Sequence, residues 1–288
     1  VIEPEFSVNL SFSFTPFGIP VEKKQALDAH GKPTMGYLSH HIIADLEEDF
    51  HLLGKSTWNI EKEYAHKQAL FAAANESFGD ILTVKYRTPA PSYAPATALV
   101  ELMGMENMLL ALYDAPEEVL RLCGEAQEAW FQAYWDLAAV LRENGNPGYS
   151  DWSGIYSAAP SYILQSDFAY MIGPEMFRTF VLPHIEDACQ RLDNAIYHLD
   201  GIGQLAHLDM LLALPRLKAV QWVYGDGKPS AKHWMEVYQK IARAGKRNFV
   251  IGDVQEVCAQ LGGNAYCTVG VRTREEGEAL LRNLGVPV

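Results

Sequence analysis

His198 and Asp200 stand two residues apart in Tyr197-His198-Leu199-Asp200-Gly201, at the end of a short apolar run that begins at Asn194. On an extended strand, residues i and i+2 project to the same side, so an imidazole and a carboxylate meet at one place. Gly201 then lets the backbone turn sharply. Aspartate is scarce in strands and a buried carboxylate is costly without a partner. A metal ion, a substrate or a nearby base would stabilise Asp200. The alternative is a hydrogen-bonded core histidine followed by an aspartate that merely opens a turn. Asp167, at the end of an earlier strand-like piece, is a second carboxylate candidate. A carboxyl group shielded from water has its pKa raised and serves as a general acid, whereas one beside a cation stays ionised. Asp167 and Asp200 are expected to divide those roles.

Substrate-binding candidates lie on neighbouring runs. Gln221 is placed to orient a substrate by hydrogen bonds, and Trp222 and Tyr224, two apart, to wall a flat or methyl-rich one. Asp151, Trp152 and Asp253 add carboxylate and aromatic character at other strand ends. Ordinary core packing is the competing explanation for the aromatic residues. Gly225-Asp226-Gly227 lacks the further glycine and lysine of a phosphate loop. His207-Leu208-Asp209 repeats the His-Leu-Asp triplet, but among leucines at helical spacing it is expected at a surface or cap. Of the adjacent pair His40 and His41, at most one can face a pocket. Cys123, Cys189, Cys258 and Cys267 include no CxxC pair and read as reduced thiols. Cys267, inside a strand-like run, is the one kept as a metal ligand.

The elements that would position these groups alternate regularly in the second half. Strands are expected at 194–200, 219–225, 248–253 and 265–271, with helices at 207–214, 233–244, 254–261 and 274–284. Thr273 and Glu276 have the spacing of a capping box. Such β–α alternation with short connections implies a parallel sheet, wound by right-handed crossovers into a barrel or an open sheet. Upstream, helices are expected at 177–192 and 115–144, the latter ending at Asn144-Gly145-Asn146-Pro147. The first hundred residues are less regular: strands at 6–14 and 34–42, part of a hairpin excursion at 81–87 and a proline-rich loop, read as a lid over one face, at 88–95. One domain spanning 1–288, a barrel with an elaborated N-terminal half, is the most economical arrangement.

Composition narrows the class. Hydrophobic residues make up 49% of the 288 and charged residues 20%, which suits a packed globular fold. The formal charge of −13, with no basic run, argues against nucleic acid as a partner. Apolar runs fall short of a membrane span. A cytoplasmic protein is expected, and Val1, in place of an initiator methionine, suggests numbering that begins inside a longer gene product.

From Asp151 onward the chain resembles the uroporphyrinogen decarboxylase superfamily, which includes the methylcobamide:coenzyme M methyltransferases. The resemblance rests on Asp167, then Met171-Ile172-Gly173-Pro174-Glu175-Met176-Phe177, Phe180-Val181-Leu182-Pro183, a helix, and the strand carrying His198. Leu102-Met103-Gly104 and Leu112-Tyr113-Asp114-Ala115-Pro116-Glu117-Glu118-Val119 extend it upstream. It implies a (β/α)8 TIM barrel with its site at the C-terminal ends of the strands. In the methyltransferase branch, His-x-Cys and a later cysteine hold zinc that activates a thiol. Here His198-Leu199-Asp200-Gly201 offers a hard oxygen donor where that branch has a thiolate, and Cys267 falls near the later cysteine. The decarboxylase branch offers N-terminal arginines and a late histidine; no arginine-rich N-terminal motif is present, and no histidine follows Cys267.

The function expected first is therefore corrinoid-linked methyl transfer from a small methylated substrate, with zinc or another divalent metal on His198, Asp200 and Cys267. The corrinoid would be carried by a partner protein. Metal-independent decarboxylation and a non-catalytic, small-molecule-binding barrel are the alternatives. A second copy of the chain is a further expected partner.

Overall fold

The computed structural model describes residues 5–9, 14–27, 30–39, 41–87, 92–143, 148–262 and 265–286. The turn at 144–147, His40, and residues 88–91 of the expected loop lie outside them. By contact density the chain divides into two units, 1–161 and 162–288.

The first unit runs β1 (Glu5–Asn9), β2 (Lys23–Leu27), β3 (Pro33–Ser39), α1 (Leu46–Asp49), α2 (Ile60–Phe78), β4 (Thr83–Arg87), α3 (Pro95–Asp114), α4 (Pro116–Glu143), β5 (Tyr149–Ser150) and β6 (Tyr156–Ser157). The hairpin expected at 81–87 is instead a single strand, β4, parallel to β1. A parallel partner needs a long crossover, and α2 supplies it. The antiparallel hairpin is β2–β3. Helix α4 buries an apolar stripe that includes Trp130, Phe131 and Tyr134, and Trp130 stacks on Tyr134 one turn later. Helix α3 is broken at Gly104, whose φ of 81° only glycine adopts readily. The His41 ring lies where a Cβ on Gly104 would be, and Ile42 and Ile43 both donate to the Leu102 carbonyl freed by the break.

The second unit carries the β–α alternation. After β7 (Ser161–Gln165) come α5 (Pro174–Phe180), α6 (Leu182–Arg191), β8 (Asn194–Asp200), α7 (Leu208–Ala213), β9 (Leu217–Val223), α8 (Met235–Arg243), β10 (Arg247–Ile251), α9 (Val254–Leu261), β11 (Ala265–Thr268) and α10 (Arg274–Asn283). The helix expected at 177–192 is two helices, because Pro183 cannot continue the hydrogen-bond ladder of the first. The Thr273 hydroxyl caps α10 by accepting from the Glu276 amide. Strands β7 to β11 form one five-stranded parallel sheet in the order β11-β10-β9-β8-β7. The protein is thus α/β; the described strands of the first unit pair in separate two-stranded sheets, β1 with β4, β2 with β3 and β5 with β6.

Register assigns the two faces of the sheet. His198 pairs with Gln221, Gln221 with Phe249, and Phe249 with Tyr266, so these four side chains form a row on one face. Leu199 and Trp222 pair on the opposite face, as do Val220 with Asn248 and Val250 with Cys267. That second face is covered by helices: Asn248 donates to the Tyr238 carbonyl of α8, and Trp222 meets Trp234 edge to face at 5.4 Å.

Candidate metal centre at the end of the parallel sheet

Strand β8 ends at Asp200, and Gly201 follows with φ 79°. A Cβ at Gly201 would fall 2.8 Å from the Tyr170 ring, and one at Gly203 2.9 Å from it. The glycines therefore let the Cδ2–Cε2 edge of that ring pack against the chain where it leaves the strand. A 3-10 turn over Ile202–His207 follows, and it is fastened from inside by two buried polar residues. Gln204 accepts from the Tyr197 hydroxyl at 3.0 Å and donates to the Ser166 carbonyl at 3.1 Å. Burial, with the Asp167 charge adding to it, pushes the Tyr197 phenol well above its ordinary range, so it remains a donor. His207 bonds through Nε2 to the Ala169 carbonyl at 2.9 Å and stacks on Phe177 at 4.2 Å. Ser166 immediately precedes the turn that starts with Asp167, and Ala169 lies within it. These bonds set Asp167 beside Asp200.

The result is a cluster in which Asp167, His198 and Asp200 each offer one ligand atom, all within 4.8 Å of one another. His198 Nε2 lies 3.7 Å from Asp200 Oδ2, with the imidazole 13% exposed and the carboxylate 44%. The other ring nitrogen, Nδ1, is hydrogen-bonded to Gln221 Oε1. A carbonyl oxygen only accepts, so Nδ1 carries the proton, and in the neutral ring Nε2 presents its lone pair toward the two carboxylates. That is the arrangement of a ligating histidine whose outer hydrogen bond fixes its tautomer.

Of the residues expected at the site, the structure brings together Asp167, His198, Asp200 and Gln221. Trp222 is not among them. It is fully buried on the helix face of the sheet, because adjacent strand residues point opposite ways and Gln221 takes the site face. Tyr224 likewise stacks on Trp234, rings 6.4 Å apart. Asp253 accepts from the Lys232 amide, and this bond together with the Ser230 hydroxyl holds its carboxyl below the usual range. It ties the start of α9 to the 3-10 turn at Ala231–Trp234 and is not among the clustered ligand atoms. Cys267 lies three strands from β8, about 14 Å at the usual strand spacing of about 4.8 Å, and its sulfur contacts Cys258. It cannot share an ion with His198. Asp151, in the first unit, is buried and accepts from both the amide and the hydroxyl of Ser153, closing a local turn beside the half-exposed Trp152.

No protein-family model matches the chain, and no curated protein does. The site therefore stands on its geometry. Gln204, His207 and Tyr170 are the residues that sequence reasoning passed over. His207 was expected at a surface or cap and is instead fully buried. Only Gly201 and Gly203, flanking Ile202 just before Gln204, hinted at a tightly packed turn.

Proposed function

We propose that the chain is a metal-dependent enzyme whose catalytic ion is held by Asp167, His198 and Asp200, and that it performs methyl transfer in the manner of the corrinoid-linked branch of the uroporphyrinogen decarboxylase superfamily. The observation that carries the metal reading is the convergence of three ligand atoms within 4.8 Å, with the second nitrogen of the histidine committed to Gln221. The donors are one imidazole and two carboxylates, a hard to borderline set that suits zinc, manganese or ferrous iron. Three protein ligands leave room for a substrate atom, as catalytic sites require. When bound, the ion supplies Lewis-acid polarisation of that atom. Gln221 fixes the ligating tautomer, and the 202–207 turn holds Asp167 in reach.

The parallel β–α order of the second unit supports the barrel expectation, and the site lies where such barrels carry theirs, at the C-terminal strand ends. Methyl transfer and the corrinoid-carrying partner rest on the resemblance alone. With an oxygen ligand in place of the thiolate, the substrate activated would be a harder one than the thiol of the family's zinc enzymes. Neither carboxylate is shut away from water, which gives less support to metal-free decarboxylation by a protonated aspartic acid.

Elemental analysis of purified protein after dialysis against zinc or manganese tests the site. One ion per chain is expected, lost in His198→Ala and kept in Cys267→Ser; a wild-type protein that retains none removes the metal reading. Incubating loaded protein with methylcobalamin and small nucleophiles, and following cobalt–carbon cleavage by visible absorbance, tests the reaction. Ion binding without cleavage for any acceptor would leave the metal centre standing and remove methyl transfer.

A further inference from the structure

Cys258 and Cys267 are far from the metal cluster and were brought together by the fold. Cys258 lies on α9, and Cys267 on β11, where it pairs with the buried Val250 and so faces the helix layer that contains α9. Their sulfurs are 2.9 Å apart, with no room for an atom between them, and both residues are half-buried rather than sealed. A disulfide requires about 2.05 Å, an approach of less than an ångström. The other two cysteines, Cys123 and Cys189, are fully buried, and burial pushes each thiol up to about 12.

We propose that Cys258 and Cys267 form a reactive dithiol, a modification site that closes to an internal disulfide by exchange with small-molecule disulfides of the glutathione type. Thiolate, not thiol, is the attacking species. The two half-buried sulfurs are in contact, so either can open the exchange. Where Cys258 is the attacking sulfur, its thiolate attacks one sulfur of the small disulfide, forming a mixed disulfide and releasing one small thiolate, which takes up the proton Cys258 gave up. Conversion to a mixed disulfide removes the charge beside Cys267. Cys267 then loses its proton and attacks the Cys258 sulfur, and the second small thiol leaves with that proton. Two protein thiols are oxidised and one small disulfide is reduced to two thiols. The bond fastens α9 to β11, the terminal strand of the five-stranded sheet.

The test equilibrates the whole chain with buffers of rising oxidised-to-reduced glutathione ratio, traps free thiols with iodoacetamide and measures intact and peptide mass. The expected result is a loss of two hydrogens, two alkylation sites remaining at Cys123 and Cys189, and a single cross-linked peptide pair joining Cys258 to Cys267. Cys267→Ser and Cys258→Ser should each stop at the mixed disulfide, with one glutathione on the remaining cysteine of the pair. Four alkylated cysteines at every ratio, or a cross-link involving Cys123, Cys189 or a second chain, would overturn the proposal. The wild-type measurement stands without the variants, so a folding defect in either leaves the outcome decided.

Discussion

At the scale of single residues, Gln221 decides what His198 can do. Its side-chain oxygen takes the hydrogen bond at Nδ1, which turns Nε2 toward Asp200. Replacing Gln221 with Met keeps the volume and removes the acceptor. Metal affinity is expected to fall roughly 10–100-fold, measured by competition with a chelator of known affinity. Trp222→Phe, one residue away on the opposite face, should leave affinity unchanged while costing stability through the lost ring volume. Equal loss of affinity in both variants would show that the strand as a whole, rather than the tautomer, sets binding. The alternation of side chains along a strand already separates Gln221 from Trp222; reading them as one wall neglected that period.

At the scale of elements, the site depends on the turn that follows β8. Gly201 is held at φ 79° under the Tyr170 ring. Gly201→Ala adds both backbone strain and a clash, with an expected loss of about 2 kcal/mol in urea denaturation. Tyr170→Ala in the same chain should restore only the part due to the clash. Full restoration would mean that the positive φ carries no cost here. Gln204→Leu leaves the buried Tyr197 hydroxyl and Ser166 carbonyl without their shared partner, a loss of about 1–3 kcal/mol for each such group. Because Ser166 precedes Asp167, metal affinity should weaken along with stability; unaltered affinity would show that Asp167 is placed by other contacts. The strand carrying His198 was legible in sequence to the residue, 194–200, since an apolar run ending in Asp-Gly marks both limits. The turn after it was not, because Gln204 and His207 bond to carbonyls 38 residues away.

At the scale of the whole molecule, acid should destabilise the protein through its buried histidines. Burial holds His207 and His184 below the ordinary value of 6.5. A base with a depressed folded pKa takes up its proton more readily when unfolded, so stability is complete above 6.5 and declines as pH falls toward the folded value. Between about pH 7.5 and about pH 5.5, unfolding free energy is therefore expected to drop, and His207→Gln, which retains an N–H for the Ala169 carbonyl, should lose less of it. Parallel pH slopes for the two proteins would sink this account. Among the described residues no helix is long and apolar enough to cross a membrane, in line with the interrupted apolar runs.

The division of the chain into units shows where sequence patterns lose their reach. Four strands and their helices in the second unit could be read from 219–225, 248–253 and their neighbours, because short βα units are specified by contacts close in sequence. The parallel pairing of β1 with β4 could not, since the paired residues, such as Glu5 and Thr83, lie far apart in sequence and share no turn. By its own residue types the sequence determined that His198 and Asp200 share one side of a strand end, for that follows from the two-residue period of extended backbone. Only the tertiary structure decided that Asp167 joins them, that Cys267 does not, and that Cys267 meets Cys258 instead. Those outcomes depend on strand order and on buried side-chain-to-backbone bonds, which link residues with no fixed spacing along the chain.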